Sequence, residues 1–320
     1  MSGLRRMLPI VGRRLLMVVP LMLVVVLVSF GLMFLIPGDP AHRIAGEAAT
    51  PEQIEAVRHD LGLDRPVPVQ FLSYLQGLVT GDLGTSFSFK TPVLDLILAR
   101  LPVTASMVTV AMVFALLIGV PAGVWAGRRA GAWQDRAVTT VSTLGLATPN
   151  FVLGLLLVLV LAVKLNLLPA TGYTPLSEGF WPWLEHLLLP GFALGAVAAA
   201  EIARQLRAAM ANAMRQDYVR TAVAKGMLPR TVVWRHALKN ALMPVVTVVG
   251  IQVGYLLGGT AVVETIFGLK GLGDFAVQAV LAGDVPAIQG MVVFAVGIVV
   301  LLSLIVDLTY SYLNPRGEAQ

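Results

Sequence analysis

Apolar residues in this chain are gathered into long blocks of bilayer length, and that arrangement restricts the fold more than any other feature. Six blocks fall at about 15–36, 101–126, 138–163, 187–204, 242–263 and 288–308. A run of about 20 apolar residues crosses the hydrocarbon core as a helix, the form that satisfies every backbone group without water. The expected fold is therefore an all-α polytopic membrane protein with six transmembrane helices. Gly191, Gly195 and Glu201 are expected to interrupt or end the fourth.

Lysine and arginine set the orientation. One side of the expected membrane carries Arg5, Arg6, Arg13, Arg14, Arg128, Arg129 and Arg136, then a cluster from Arg204 to Lys239, then Arg316. The other carries Arg43, Arg58, Arg65 and Lys90, then Lys164, then Lys270. Both termini and the long basic loop are accordingly expected in the cytoplasm. The net charge of +5 is a topology signal, and no basic domain stands apart from the membrane to bind nucleic acid. The layout is a cytoplasmic N-terminus at 1–14, a first span at 15–36 and an extracytoplasmic helical insertion at 37–99. A core of five helices follows at 100–312, including the loop 205–239, and the tail 313–320 is cytoplasmic. The first apolar run ends in Pro37-Gly-Asp-Pro40 and not in a small-residue cleavage site, so it reads as an uncleaved helix.

Within the insertion, Thr50, Pro51 and Gln53 form a helix-start signature. That helix should run to about Asp60 and stop at Gly62. A second, around Phe71–Leu78, should close at Gly81. Trp181 and Trp183 read as interfacial anchors in a loop at 166–186, and 265–286 reads as a Gly-rich outer loop. Gly250, Gly254 and Gly258 recur every four residues, as do Gly191 and Gly195. Such faces serve tight packing, within the bundle or to a second subunit; the other reading for Gly250–Gly258 is a face lining a path.

The sequence lacks a phosphate-cradling G-x-x-x-x-G-K-[ST] loop, an H-E-x-x-H metal pair and a G-x-S-x-G nucleophile turn. Its four histidines are scattered and it has no cysteine, so no catalytic or metal site is expected. The expected spans are almost free of charge, against the ionisable relays of self-powered carriers. Glu201 stands three residues before Arg204, a helical pairing distance; the pair reads as an ion pair at a helix end, or as a gate.

The basic loop is long for a connection within a bundle. Asp217 and Tyr218 mark a helix start, Ala222 and Ala224 favour helix, and Gly226 marks its stop. Tyr218, Thr221, Ala222 and Lys225 then share a face suited to a partner's groove. Arg220, Arg235 and His236 complete this basic surface.

The run Tyr218-Val-Arg-Thr-Ala-x-Ala-Lys-Gly226 with Arg235-His-Ala-Leu-x-Asn-Ala-Leu-x-Pro244 resembles the peptide subgroup of membrane permeases of binding-protein-dependent ABC importers. The general signature of that family is Glu-Ala-Ala, three residues, Gly, nine residues, Ile-x-Leu-Pro. Ala222 and Gly226 keep its spacing, whereas Arg220, Thr221, His236 and Lys239 depart from it. The resemblance extends over nearly the whole chain: FGLMFLIPGDP at 30–40, Gly81-Asp-Leu-Gly-Thr-Ser86, Thr148-Pro-Asn-Phe151, Glu264-Thr-Ile-Phe-Gly-Leu-Lys-Gly-Leu-Gly273 and Asp284-Val-Pro-Ala-Ile-Gln-Gly290. It implies a prokaryotic plasma-membrane subunit of the first-permease type, working by alternating access. The implied partners are a second homologous permease, two cytoplasmic ATPase subunits holding ATP and Mg, an extracytoplasmic substrate-binding protein and the bilayer. This chain would hold no cofactor. Short peptides are the implied substrate, with nickel or glutathione as alternatives. A stand-alone carrier or channel, and a scaffold without a path, are the rival readings.

Overall fold

The computed structural model describes residues 2–34, 39–46 and 49–313. Its elements are α1 (Ser2–Leu32), α2 (Pro40–Ala45), α3 (Pro51–Asp60), α4 (Val67–Thr80), α5 (Val93–Gly127) and α6 (Trp133–Ala147). These are followed by α7 (Asn150–Lys164), α8 (Phe180–Ala213), α9 (Asp217–Ala224), α10 (Pro229–Ile266), α11 (Leu272–Ala282) and α12 (Val285–Leu313). Among the described residues there is no strand, only an isolated bridge between Thr85 and Pro92.

Helices α5, α8, α10 and α12 are each long and apolar enough to cross a bilayer. The third expected span, 138–163, is not one straight helix. It breaks between α6 and α7 with a bend of 97°, because Pro149 disfavours the helical conformation at Thr148, which is extended. With that pair taken as one span, up to five helices among the described residues are long and apolar enough to cross a bilayer. The described apolar part of α1 is Leu16–Gly31, and the expected end of the first span at 35–36 and the tail 314–320 lie outside the described residues. The fourth span is corrected in the other direction: α8 runs unbroken for 34 residues through Gly191, Gly195 and Glu201. Trp181 and Trp183 sit in its first turns, not in a loop, and Trp183 Nε1 donates to Ser106 Oγ at 3.2 Å. The expected loop 265–286 contains α11, and α5 starts at Val93, before the expected boundary at 100.

The chain divides into two compact units, Met1–Pro102 with Phe275–Leu301, and Val103–Asp274 with Leu302–Gln320. In the first, Thr50 and Gln53 form the reciprocal capping box of α3, and α4 ends on Gly81 at φ 83°. Phe30 of α1 packs edge-on against Phe71 of α4 at 5.3 Å. Asp284 precedes α12 and is buried; it accepts from Ser86 Oγ at 2.5 Å, from the amides of Phe87 and Ser88 at 3.1 and 3.0 Å, and from the amide of Ala287 at 3.2 Å. One carboxylate thus caps α12 and fastens the loop before α5.

In the second unit α5 and α8 lie parallel along a glycine seam. A Cβ on Gly119 would meet Ala199 O at 2.7 Å, one on Gly123 would meet Leu206 Cβ at 2.8 Å, and one on Gly127 would meet Met210 Cβ at 2.5 Å. From the facing helix, Gly191 and Gly195 press on Val110 and Ala111. Apolar side chains gain nothing by leaving lipid for protein, so close backbone approach is what such a pair can use to associate.

Candidate functional site

The basic region expected as a loop at 205–239 is largely helical. Helix α8 carries Arg204 and Arg207 onward to Ala213, and α9 and α10 follow after short turns. Helix α9 starts at Asp217 and ends where expected, with Gly226 in the left-handed region at φ 75°. Its end is closed by Gly226 N–H donating to Val223 O at 2.9 Å and Met227 N–H donating to Ala222 O at 3.2 Å, a pattern that only residues tolerating positive φ complete without strain.

The inner face of α9 is anchored. Val219 and Ala222 are buried with Val232 of α10, flanked by Met214 and Met227. Ala222 therefore does not share the free face with Tyr218, Thr221 and Lys225, as its spacing had implied; a methyl group fits the close contact there. The free face holds Asp217, Tyr218, Arg220, Thr221, Ala224 and Lys225, all exposed. Arg220 reaches Asp217 at 3.4 Å across open solvent, a pair worth little by itself. Arg235 and His236 lie on a π-turn at Val232–Ala237, apart from α9 in sequence. Arg235 is exposed, whereas His236 Nε2 is buried and has no hydrogen-bond partner among the described residues. Wide turns of this type are frequent at functional sites.

Helix α8, which leads into this region, is fixed by a contact that sequence spacing did not reveal. Arg207 grips Asp135 of α6 with two bonds of 2.5 Å, and Gly131 N–H donates to the same carboxylate at 2.8 Å. Such a bidentate fork orients as well as attracts. Glu201 and Arg204 do form an ion pair, at 2.7 Å, with Gln205 Nε2 donating to Glu201 at 3.0 Å. It stands about three turns before the end of α8, not at the terminus.

A second buried node also went unread. Glu264 is fully buried near the end of α10, accepting from Thr104 Oγ1 at 2.6 Å and from Asp274 N–H at 2.8 Å, while Thr104 Oγ1 accepts from Leu272 N–H at 2.8 Å. Gly271 and Gly273 abut this node so closely that side chains there would collide with Thr104 and Ala261. The sequence signal was present in the spacing of Glu264, Gly271 and Gly273, but its partner Thr104 stands far away in the chain.

The expected glycine face of α10 is split. Gly250 packs against Val306 of α12, whereas Gly254 and Gly258 face open space.

Residues 119–318 match the family described as binding-protein-dependent transport system inner membrane component, and residues 7–108 match its N-terminal counterpart. The chain belongs to this family. It is 40% identical over 304 residues to a probable peptide ABC transporter permease protein, y4tP, of Sinorhizobium fredii, covering 95% of this chain and 97% of that one. The dipeptide transport system permease protein DppB of Alkalihalophilus pseudofirmus is also 40% identical, with the same coverage. The glutathione transport system permease protein GsiC of Escherichia coli is 40% identical over 97% of this chain and 98% of its own. In fold, the chain resembles the inward-facing MetNI methionine ABC transporter, with a TM-score of 0.58 at 22% identity, over 68% of this chain and 96% of that one. The apolar helices and this membership make the chain a multi-pass membrane permease, a component of a binding-protein-dependent transporter. Within that permease, α9 and its anchorage lie in the segment of the main family match.

Proposed function

We propose that this permease is half of the translocation path of an ATP-driven importer of short peptides, with both termini and the basic region in the cytoplasm of a prokaryotic cell. The carrying observation is α9: a short basic helix whose inner face is buried and whose outer face is open. A cytoplasmic ATPase grips that outer face, and ATP and Mg stay on the two ATPase subunits. Their closure pulls α9, which moves α10 through Val232 and α8 through Met214, while Arg207 and Asp135 carry the motion to α6. A second permease covers the apolar windows of α10 and α12, each only 17% buried in this chain. The binding protein delivers its load onto residues 37–99. Short peptides follow from the y4tP and DppB relatives. The equal identity of the GsiC relative supports glutathione, itself a tripeptide, as a second reading.

The assembly purified in mild detergent is expected to contain two permeases and two ATPases and to hydrolyse ATP. In vesicles, Gly226→Pro should uncouple it, since proline can neither adopt φ 75° nor donate to Val223 O. Peptide uptake per ATP should fall by about 5–150-fold, the span of typical coupling energies, with membrane insertion intact. Unchanged uptake would refute α9 as the coupling element, and uptake by this chain alone without ATP would favour the solitary carrier.

A further inference from the structure

We infer that the groove between the end of α5 and the start of α10 is a binding site for an anionic phospholipid of the surrounding bilayer. Two adjoining hollows form it. The first, of about 540 Å³, is apolar, walled by Pro121, Val124 and Trp125 of α5 and by Val233 and Trp234 of α10. The second, of about 480 Å³, shares Arg128, Val233 and Trp234, adds Arg129 and Arg230, and is also lined by Val223 of α9 and by Met214 and Met227 at either end of that helix. No carboxylate among the described residues pairs with these three arginines in an ion pair.

Charge and depth together select the occupant. From Arg128 back to Pro121 is two helical turns of α5, about 10 Å, into the apolar part of the span. A ligand filling both hollows therefore has an anionic head at the arginines and a hydrocarbon tail that deepens into the membrane. Trp125 and Trp133 pack edge-on at 5.2 Å beside it, and Trp234 is exposed, as suits rings at a headgroup boundary. Guanidinium groups bind phosphate oxygens through paired N–H donors. The arginine bias also assigns this end of α5 to the cytoplasmic side, whose leaflet is rich in anionic lipid. A soluble anion would satisfy the arginines and leave the apolar trough unfilled.

The site is independent of what the permease transports, and its test reads lipid directly. The purified, delipidated assembly is exposed to vesicles of palmitoyl-oleoyl phosphatidylglycerol or of the matching phosphatidylcholine, and retained lipid is counted by native mass spectrometry. Each basic residue near an anionic surface contributes about fivefold, so phosphatidylglycerol should be preferred at least about tenfold. Arg128→Gln/Arg129→Gln/Arg230→Gln should reduce that preference to within about twofold, and the triple lysine variant should keep most of it. Bromination of the acyl chains should quench the fluorescence of Trp125 and Trp234, an effect lost in Trp125→Phe/Trp234→Phe. Equal retention of both lipids, or a glutamine variant that keeps the preference, would overturn the assignment. The chain has no natural cysteine, so Ala122→Cys gives a single probe of the trough. Crosslinking of that cysteine to a permease or ATPase subunit would show a protein occupant and also overturn it.

Discussion

Gly123→Leu is expected to disrupt the packing of α5 on α8 and to lower the thermal stability of the permease. Its Cβ alone would lie 2.8 Å from Leu206 Cβ and 2.9 Å from Ala203 O, inside normal contact before the rest of the leucine is placed. The carbonyl belongs to a helix backbone and cannot step aside without moving α8. Overpacking usually costs about 1–3 kcal/mol and sometimes more; here the close approach is the basis of the association, so the upper end applies. A loss of about 3 kcal/mol corresponds to a fall of roughly 6–12 °C in thermal midpoint. Heating followed by fluorescence-detected size-exclusion chromatography reads this directly. The matched control is Gly254→Leu, because nothing lies within 4 Å of that position; it should melt like the wild type as an isolated chain. Equal melting of the two variants would mean the seam is not what holds these helices.

Glu264→Ala should be the second large loss. It strips the acceptor from Thr104 Oγ1 and from the Asp274 amide and leaves a cavity in a fully buried site. Two orphaned donors at about 1–3 kcal/mol each make a total of about 2–6 kcal/mol. Glu264→Gln should lose less, since its amide oxygen still serves the Asp274 N–H. Thr104→Val removes the hydroxyl that joins Glu264 to the Leu272 amide, so the double variant should be less destabilised than the sum of the single ones. Strict additivity in that cycle would show that the two side chains are not coupled. The node fixes the end of α10 to the start of α11, and its loss should loosen that corner without touching α9.

Much of the local structure was legible. The start of α3 followed from Thr50, Pro51 and Gln53, and the limits of α9 from Asp217 and Gly226, because capping and left-handed glycines act over a few residues. The break of the third span was also readable at Pro149, had the apolar run not masked it. A further signal passed over was Gly119, Gly123 and Gly127, spaced every four residues in α5. Ala222 was placed on the wrong face because helical spacing tells which residues share a side, not which side a neighbouring element covers.

By itself the sequence determined that this is a helical membrane protein with a short helix in its basic region, and its motifs carried the resemblance to a permease. Hydrocarbon forces helices of fixed length, arginines choose their sides, and caps set the ends; each is a short-range or additive rule. Only the tertiary structure decided which groups meet. Arg207 finds Asp135 and Thr104 finds Glu264 across 72 and 160 residues, Gly123 finds Ala203, and Val232 covers the inner face of α9. Those pairings depend on how helices cross and which backbones can approach most closely, and no spacing within one helix contains that information.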